Sequence, residues 1–305
     1  MKKDYDLIVV GAGPAGMTAG MYGVRSGLET LMVEKGICGG LSNEAPEIEN
    51  YPGFKKVGGM ELAEKMKEQV AEYAEIKELE EVKKIELVKK EMMVITEKDS
   101  YLTKAVIIST GTKHRRLGVK GEDEFLGRGI SYCATCDGFF FRDKPVIVVG
   151  GGDSAVREAL YLKNIGCEVT LIHRRGKLRA ERYLEKNLEK AGVHILWNSV
   201  LKEIKGDKVV RSVVRYDKER EIEDELPVEG LFISIGEEPV NELAAHVGIE
   251  TDKNGYIITD KSQRTNLERV YAAGDITGGV RQVVVACAEG AIAATSAYND
   301  LLELS

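Results

Sequence analysis

Cys133-Ala134-Thr135-Cys136-Asp137 places two thiols three positions apart with a carboxylate directly behind the second. Sulfurs at this spacing can cycle between dithiol and disulfide, and an adjoining acid can take or return the thiol proton. The same residues admit three other uses. A zinc site needs about four ligands, yet the chain has no second CxxC and no histidine pair at finger spacing. A structural disulfide across so short a loop would restrain little unfolded-chain entropy. Two packed thiols are a further reading. What favours redox chemistry is position: the pair lies between two glycine-rich signatures, Gly11-Ala12-Gly13-Pro14-Ala15-Gly16 and Gly150-Gly151-Gly152-Asp153-Ser154-Ala155. The remaining cysteines, Cys38, Cys167 and Cys287, stand alone and read as packing residues.

The elements around the first signature are those a dinucleotide site requires. Leu7 to Val10 is a short β-branched run that ends on Gly11, and a helical pattern (Met17, Ala19, Met21, Tyr22, Val24) follows at once. Glycine lets the turn take positive φ and approach a pyrophosphate, while Pro14, Ala15 and Gly16 open a helix whose free N–H groups favour an anion. The next apolar run, Leu31 to Val33, ends in Glu34, where a carboxylate can accept hydrogen bonds from a ribose diol.

The second half repeats the first. Val146 to Val149 ends on Gly150, a helical pattern runs from Ser154 to about Ile165, and Val169 to Ile172 is the next strand. In matched register the position of Glu34 is taken by His173, followed by Arg174, Arg175 and, one turn on, Arg179. A carboxylate there would repel a 2′-phosphate, whereas guanidiniums bind it with forked, charge-assisted hydrogen bonds. The first site therefore calls for a dinucleotide with a free 2′-hydroxyl, such as FAD, and the second for NADPH.

Bulk properties narrow the classes. The chain has 305 residues, 43% of them apolar and 30% charged, enough for two globular domains. A net charge of -7 without a long basic stripe argues against nucleic acid as partner. No apolar run reaches bilayer-spanning length, and after Lys2 and Lys3 the run Leu7 to Val10 is too short for a signal-peptide core, so a cytoplasmic protein is expected. Residues 55 to 98 are rich in Lys and Glu and read as solvated faces.

Lys104 to Ser109 reads as a buried strand ending at Thr110-Gly111-Thr112, and Lys113 to Arg116 lacks periodicity, which places a domain crossing there. Val209 to Tyr216 and Leu231 to Ile235 read as strands, and Gly236 to Pro239 as the return crossing. Arg269 to Asp275 is then a buried strand delivering an acid, and Gln282 to Leu302 a closing helix. The fold class expected is α/β: two Rossmann-like, three-layer dinucleotide-binding domains. A discontinuous FAD domain (1–116 and 242–305) carries an inserted NADPH domain with the CxxC (117–241).

Taken with Glu49-Asn50-Tyr51-Pro52-Gly53 and Tyr271-Ala272-Ala273-Gly274-Asp275, these motifs closely resemble the low-molecular-weight, bacterial-type thioredoxin reductases over essentially the whole chain and in order. The most specific element is CATCDG just ahead of the second glycine signature. The resemblance implies a homodimer in which electrons pass from NADPH through FAD to a Cys133–Cys136 disulfide, and from the dithiol to thioredoxin or a glutaredoxin-like protein. It implies that Cys136 lies nearer the flavin, that Cys133 attacks the partner and that Asp137 handles the thiol proton. It places Gly11, Gly13, Glu34, Lys35, Gly39, Gly40, Leu41, Asn50, Thr110, Gly111, Asp275, Arg281, Gln282 and Val283 on FAD-contacting stretches. Gly150, Gly152, Asp153, Ser154, Ala155, His173, Arg174, Arg175 and Arg179 fall to NADPH. One departure is Gly39-Gly40-Leu41, where the family usually reads Gly-Gly-Gln and so has a polar side chain near the flavin.

Disulfide and nicotinamide would then belong to one domain and the flavin to the other, so a rigid-body rotation about crossings near residues 113–118 and 238–245 is expected. Alternatives are a same-fold thiol reductase using deazaflavin or ferredoxin, a ferredoxin–NADP reductase, and a non-catalytic FAD-binding protein whose cysteines hold a metal. No thioredoxin-like extension precedes the first signature, which argues against the peroxiredoxin-reducing relatives that carry one.

Overall fold

The computed structural model describes residues 4–45, 48 and 50–303, and of Cys136 the backbone alone; Glu49 of the Glu49–Gly53 motif lies outside the described residues. The chain separates into two compact units, Met1–Lys113 with Glu238–Ser305, and His114–Glu237.

In the first unit the chain runs through β1 (Asp4–Val10), α1 (Pro14–Arg25), β2 (Thr30–Val33), α2 (Gly59–Ala71), β3 (Glu75–Lys77), β4 (Val82–Val88), β5 (Glu91–Thr96), β6 (Ser100–Ile108) and β7 (Thr112–His114). The second unit holds β8 (Ile130–Ser131), α3 (Ala134–Asp137), β9 (Pro145–Gly150), α4 (Asp153–Asn164), β10 (Glu168–Ile172), α5 (Arg182–Lys190), β11 (His194–Leu196), β12 (Ser199–Gly206), β13 (Val210–Asp217), β14 (Ile222–Pro227), β15 (Gly230–Ser234) and the start of β16 (Glu237–Pro239). The return to the first unit adds α6 (Glu242–Val247), β17 (Val270–Ala272) and α7 (Val283–Leu302).

The sheet of the first unit is parallel through β3-β2-β1-β6, with β17 beside the end of β6 and the antiparallel strands β5 and β4 on its beginning. Ile8, Val10, Val106 and Ile108 face one core, together with Leu243 and Ala244 of α6. Leu7, Val9, Ala105 and Ile107 face the other, with Met17 and Ala19 of α1 and Ala293 and Ala297 of α7. Burial on both faces is why these strands read as continuous apolar runs rather than alternating ones. α1 and α7 approach closely through Gly290, whose Cβ, if it had one, would lie 2.1 Å from the carbonyl oxygen of Ala15.

The second unit repeats this plan with the parallel order β11-β10-β9-β15-β8. Val146, Val148, Leu171 and Phe232 pack under α4 and α5, and Ile147, Val149, Leu231 and Ile233 pack against the antiparallel meander β12-β13-β14. Most strands follow the expected positions within a residue or two, but β1 begins three residues and β6 four residues earlier than expected, and β17 ends at Ala272, three residues short of Asp275. The crossing departs from the aperiodic stretch expected over Lys113 to Arg116, because its first part, β7, pairs with β16. Three residues are too few to display a period. One of the Lys/Glu-rich residues also departs from the solvated reading: Glu80 is 5% exposed and accepts hydrogen bonds from Thr96 and Tyr101.

Candidate active site

In the first unit the glycine signature is dictated by close backbone approach. Gly11 has φ 100° and a Cβ there would stand 2.4 Å from Ser109 O; one on Gly16 would stand 1.9 Å from Gly11 O. Gly13 differs, because a Cβ there would meet nothing nearer than Gly40 Cα at 4.0 Å. The first intrahelical bond of α1 runs from Met17 N to Gly13 O, and no side chain caps the helix, so the amides of Ala15 and Gly16 precede the ladder beside an open glycine surface. This is a cradle suited to a pyrophosphate.

Glu34, at the end of β2, accepts the amide of Ala12 at 2.7 Å through Oε2 and that of Gly36 at 2.8 Å through Oε1. The carboxylate thus stitches the signature loop to the second strand, and its remaining lone pairs are the acceptors available to a ribose. Lys35 beside it is exposed. Gly39 donates to Ala12 O at 2.8 Å and leads into a 3-10 turn, Gly40–Glu44, that carries Leu41 half-buried. Asn50 Nδ2 donates to Gln282 Oε1 at 2.7 Å, bringing those two together at the start of α7, where Val283 is half-buried. Thr110 Oγ1 donates to Val240 O at 2.6 Å, and Gly111, at φ 67°, accepts from Val240 N. Asp275 begins a 3-10 turn directly after Gly274. Half-buried Arg281 lines a cavity of about 310 Å³ with Asp252, Tyr256 and Thr277.

Motif reading missed Glu289. Its carboxylate accepts from Gly274 N at 2.7 Å and from Thr277 Oγ1 at 3.1 Å, fixing the turn that presents Asp275, and burial raises its pKa. Its standing as the one charged residue between Val283 and Ala297 of α7 was the available signal.

In the second unit, Gly150 closes β9 against β15, and a Cβ on it would stand 2.3 Å from Ser234 O. Gly152 faces open space and α4 begins without a side-chain cap. Asp153 is half-buried, Ser154 exposed and Ala155 buried. The segment after β10 folds back on this loop: Arg179 N donates to Gly151 O at 2.7 Å, and Glu181 N donates to Asp153 Oδ1 at 2.8 Å. His173 is 5% exposed, with Nδ1 2.8 Å from Gly150 O and Nε2 3.0 Å from Lys177 O, and burial is the main cause of its lowered pKa. It braces the loop from beneath. Arg174, Arg175 and Arg179 are exposed on the segment it holds, and of these the Arg179 backbone meets the glycine loop at Gly151 O.

Cys133 is disulfide-bonded and half-buried. Its amide receives support from Ser131 Oγ at 3.0 Å, its Sγ lies 3.4 Å from Thr135 Oγ1, and its carbonyl accepts from Asp137 N at 3.1 Å. The single turn α3 is seated on α4 by the buried Ala134 and by Gly138, where a Cβ would stand 2.7 Å from Leu162 Cδ2. Asp137 closes that turn and is half-buried. Cys38, Cys167 and Cys287 are free; Cys38 is buried, and burial with the Glu78 carboxylate pushes its thiol up to about 12, which leaves it inert as a nucleophile. Among the described residues no group of three or more His, Cys, Asp or Glu is placed to hold a metal.

Comparison with known proteins agrees with this arrangement. Residues 5–290 match the family model described as pyridine nucleotide-disulphide oxidoreductase. The thioredoxin reductase of Listeria innocua is 44% identical, covering 99% of this chain and 96% of its own, and that of Bacillus subtilis is 43% identical with the same coverage. The crystal structure of thioredoxin reductase from Streptococcus pyogenes is similar with a TM-score of 0.82 at 42% identity, covering 99% of this chain and 100% of that one. The chain belongs to the pyridine nucleotide-disulphide oxidoreductases, in the branch of the low-molecular-weight thioredoxin reductases.

Proposed function

We propose that the chain transfers electrons from NADPH through FAD to a Cys133–Cys136 disulfide and from there to the disulfide of thioredoxin or a similar small thiol protein. The observation that carries this reading is the bonded Cys133 at the N-cap of α3, in the same unit as a glycine loop onto which the arginine-bearing segment folds back at Arg179. FAD, when bound, supplies the two-electron carrier between nicotinamide and sulfur.

The residues of the first unit hold that group. Ala15 and Gly16 receive the pyrophosphate, Glu34 the ribose, and the stretches around Asn50, Thr110, Asp275 and Gln282 the remainder. In the second unit the amides opening α4 receive the pyrophosphate of NADPH, and the arginines receive its 2′-phosphate. Reduction of the disulfide takes up two electrons and two protons and leaves two thiols. Asp137 takes the proton of one of them, Cys133 as thiolate attacks one sulfur of the partner disulfide, and Cys136 resolves the mixed disulfide. The sum is NADPH, a proton and a disulfide giving NADP⁺ and a dithiol.

The rotation expected from the sequence belongs to this reading, with β7 and β16 as its crossings. So do a homodimeric state and a cytoplasmic location, the latter supported by the free thiols and by the lack, among the described residues, of a helix long and apolar enough to cross a membrane. The test is NADPH oxidation with oxidised thioredoxin as acceptor: turnover in wild type and its loss in Cys133→Ser support the function, and equal rates in the two contradict it.

A further inference from the structure

We infer that Tyr132 is a positioning residue that locks the redox segment to the first residues beyond the crossing, so that the two move as one body; this rests on the function proposed above. Tyr132 directly precedes Cys133, and its side chain, packed against the core that includes Ile130 and Ile147, also makes directed contacts with residues just beyond the crossing. Its ring stacks on that of His114 with centroids 4.7 Å apart and planes 3° from parallel. Its hydroxyl donates to Glu122 Oε1 at 2.8 Å. His114 ends β7, so the stack joins the residue before the disulfide to the crossing strand itself.

Glu122 makes the joint stiff. It is 2% exposed and also accepts the amides of Leu117 at 3.0 Å and Gly118 at 2.8 Å, with Arg116 Nε 3.7 Å away. One buried carboxylate therefore gathers residues 116–118 and Tyr132. Other support for the cysteine segment comes from the sheet and from α4, not from the crossing: β8 is two residues long and pairs at the edge of its sheet, and the single turn α3 is seated on α4 by Ala134 and Gly138. The Tyr132 contacts thus tie the residue before the disulfide to residues 114–122 by side chains, beside the indirect route through the sheet and α4.

The experiment follows two events after anaerobic mixing with NADPH: bleaching of the flavin, and appearance of thiols, trapped by alkylation and counted by mass on the peptide containing Cys133. Tyr132→Leu and His114→Leu are each expected to slow thiol appearance by about tenfold, with bleaching within about twofold of wild type. The double variant should be no slower than Tyr132→Leu, because that variant already loses the stack that His114→Leu removes. Tyr132→Phe, which keeps the stack and loses the hydroxyl, should fall between wild type and Tyr132→Leu. Thermal unfolding of each variant gives a readout independent of turnover, and the thiol effect should persist in variants whose midpoint is unchanged. Thiols appearing at the wild-type rate, bleaching and thiol appearance slowed alike, or a double variant slowed by the product of the single effects would each overturn the proposal. If wild-type flavin does not bleach, the function itself fails and this proposal with it; if wild type behaves as expected and the variants match it, only this proposal fails.

Discussion

Gly151 lies against the ring of His173 so closely that a Cβ on it would stand 2.1 Å from Nδ1. The ring has no room to retreat, because its nitrogens sit 2.8 and 3.0 Å from the carbonyls of Gly150 and Lys177. Gly151→Ala should therefore push the Arg174–Arg179 segment outward. The Michaelis constant for NADPH is expected to rise by about tenfold or more while bound FAD per chain, which depends on the other unit, stays unchanged. Steady-state kinetics with a flavin absorbance ratio check both halves.

The arginines should discriminate between the two nicotinamide dinucleotides. Hydrogen bonds to charged groups contribute about 1.5–3 kcal/mol, so Arg174→Ala with Arg175→Ala should raise the constant for NADPH by roughly ten- to a hundredfold. The constant for NADH, which has no 2′-phosphate, should change little. An equal effect on both would remove these residues from phosphate recognition.

Glu158 on α4 should make stability depend on pH. Burial raises its pKa to about 7; Ser234 Oγ donates to Oε1 at 3.2 Å, and Oε2 has no partner among the described residues. Because the folded value lies above the unfolded one, its contribution is fully present below about pH 4.3 and is lost as pH rises through about 7. The total is on the order of 3 kcal/mol. Glu158→Gln should flatten this decline, so that the variant gains on wild type between pH 5 and 8 in denaturant unfolding. Parallel curves would contradict the assignment.

Gly290→Ala should loosen the contact of α1 with α7, since the added methyl meets the Ala15 carbonyl at 2.1 Å. A loss of about 1–3 kcal/mol is expected from overpacking, together with weaker FAD retention, because Ala15 belongs to the proposed pyrophosphate cradle. Unfolding and flavin release on dilution measure the two effects.

What the sequence disclosed depended on the kind of constraint. Runs such as Leu7 to Val10 and Val146 to Val149 announce themselves because both sheet faces are buried. The glycines are legible because a turn that approaches other backbone excludes side chains. Glu122 was not legible: in Gly121-Glu122-Asp123-Glu124 it looks like any solvated acid, yet it is 2% exposed while the side chain of Asp123 is 88% exposed. Glu80 and Glu289 escaped in the same way, since a carboxylate's burial is decided by amides and hydroxyls brought from distant positions. Glu34 shows the middle case. Its place at the end of β2 followed from spacing, but its hold on the amides of Ala12 and Gly36 did not.

In the proposed function the cysteine pair is a second electron acceptor behind the flavin. Anaerobic titration of the FAD-loaded protein with NADPH, wild type beside Cys136→Ser, tests it most directly through the flavin absorbance. Wild type should take up about one more two-electron equivalent per chain than the variant before bleaching is complete. Equal uptake by the two would place the cysteines outside the electron path and contradict the account.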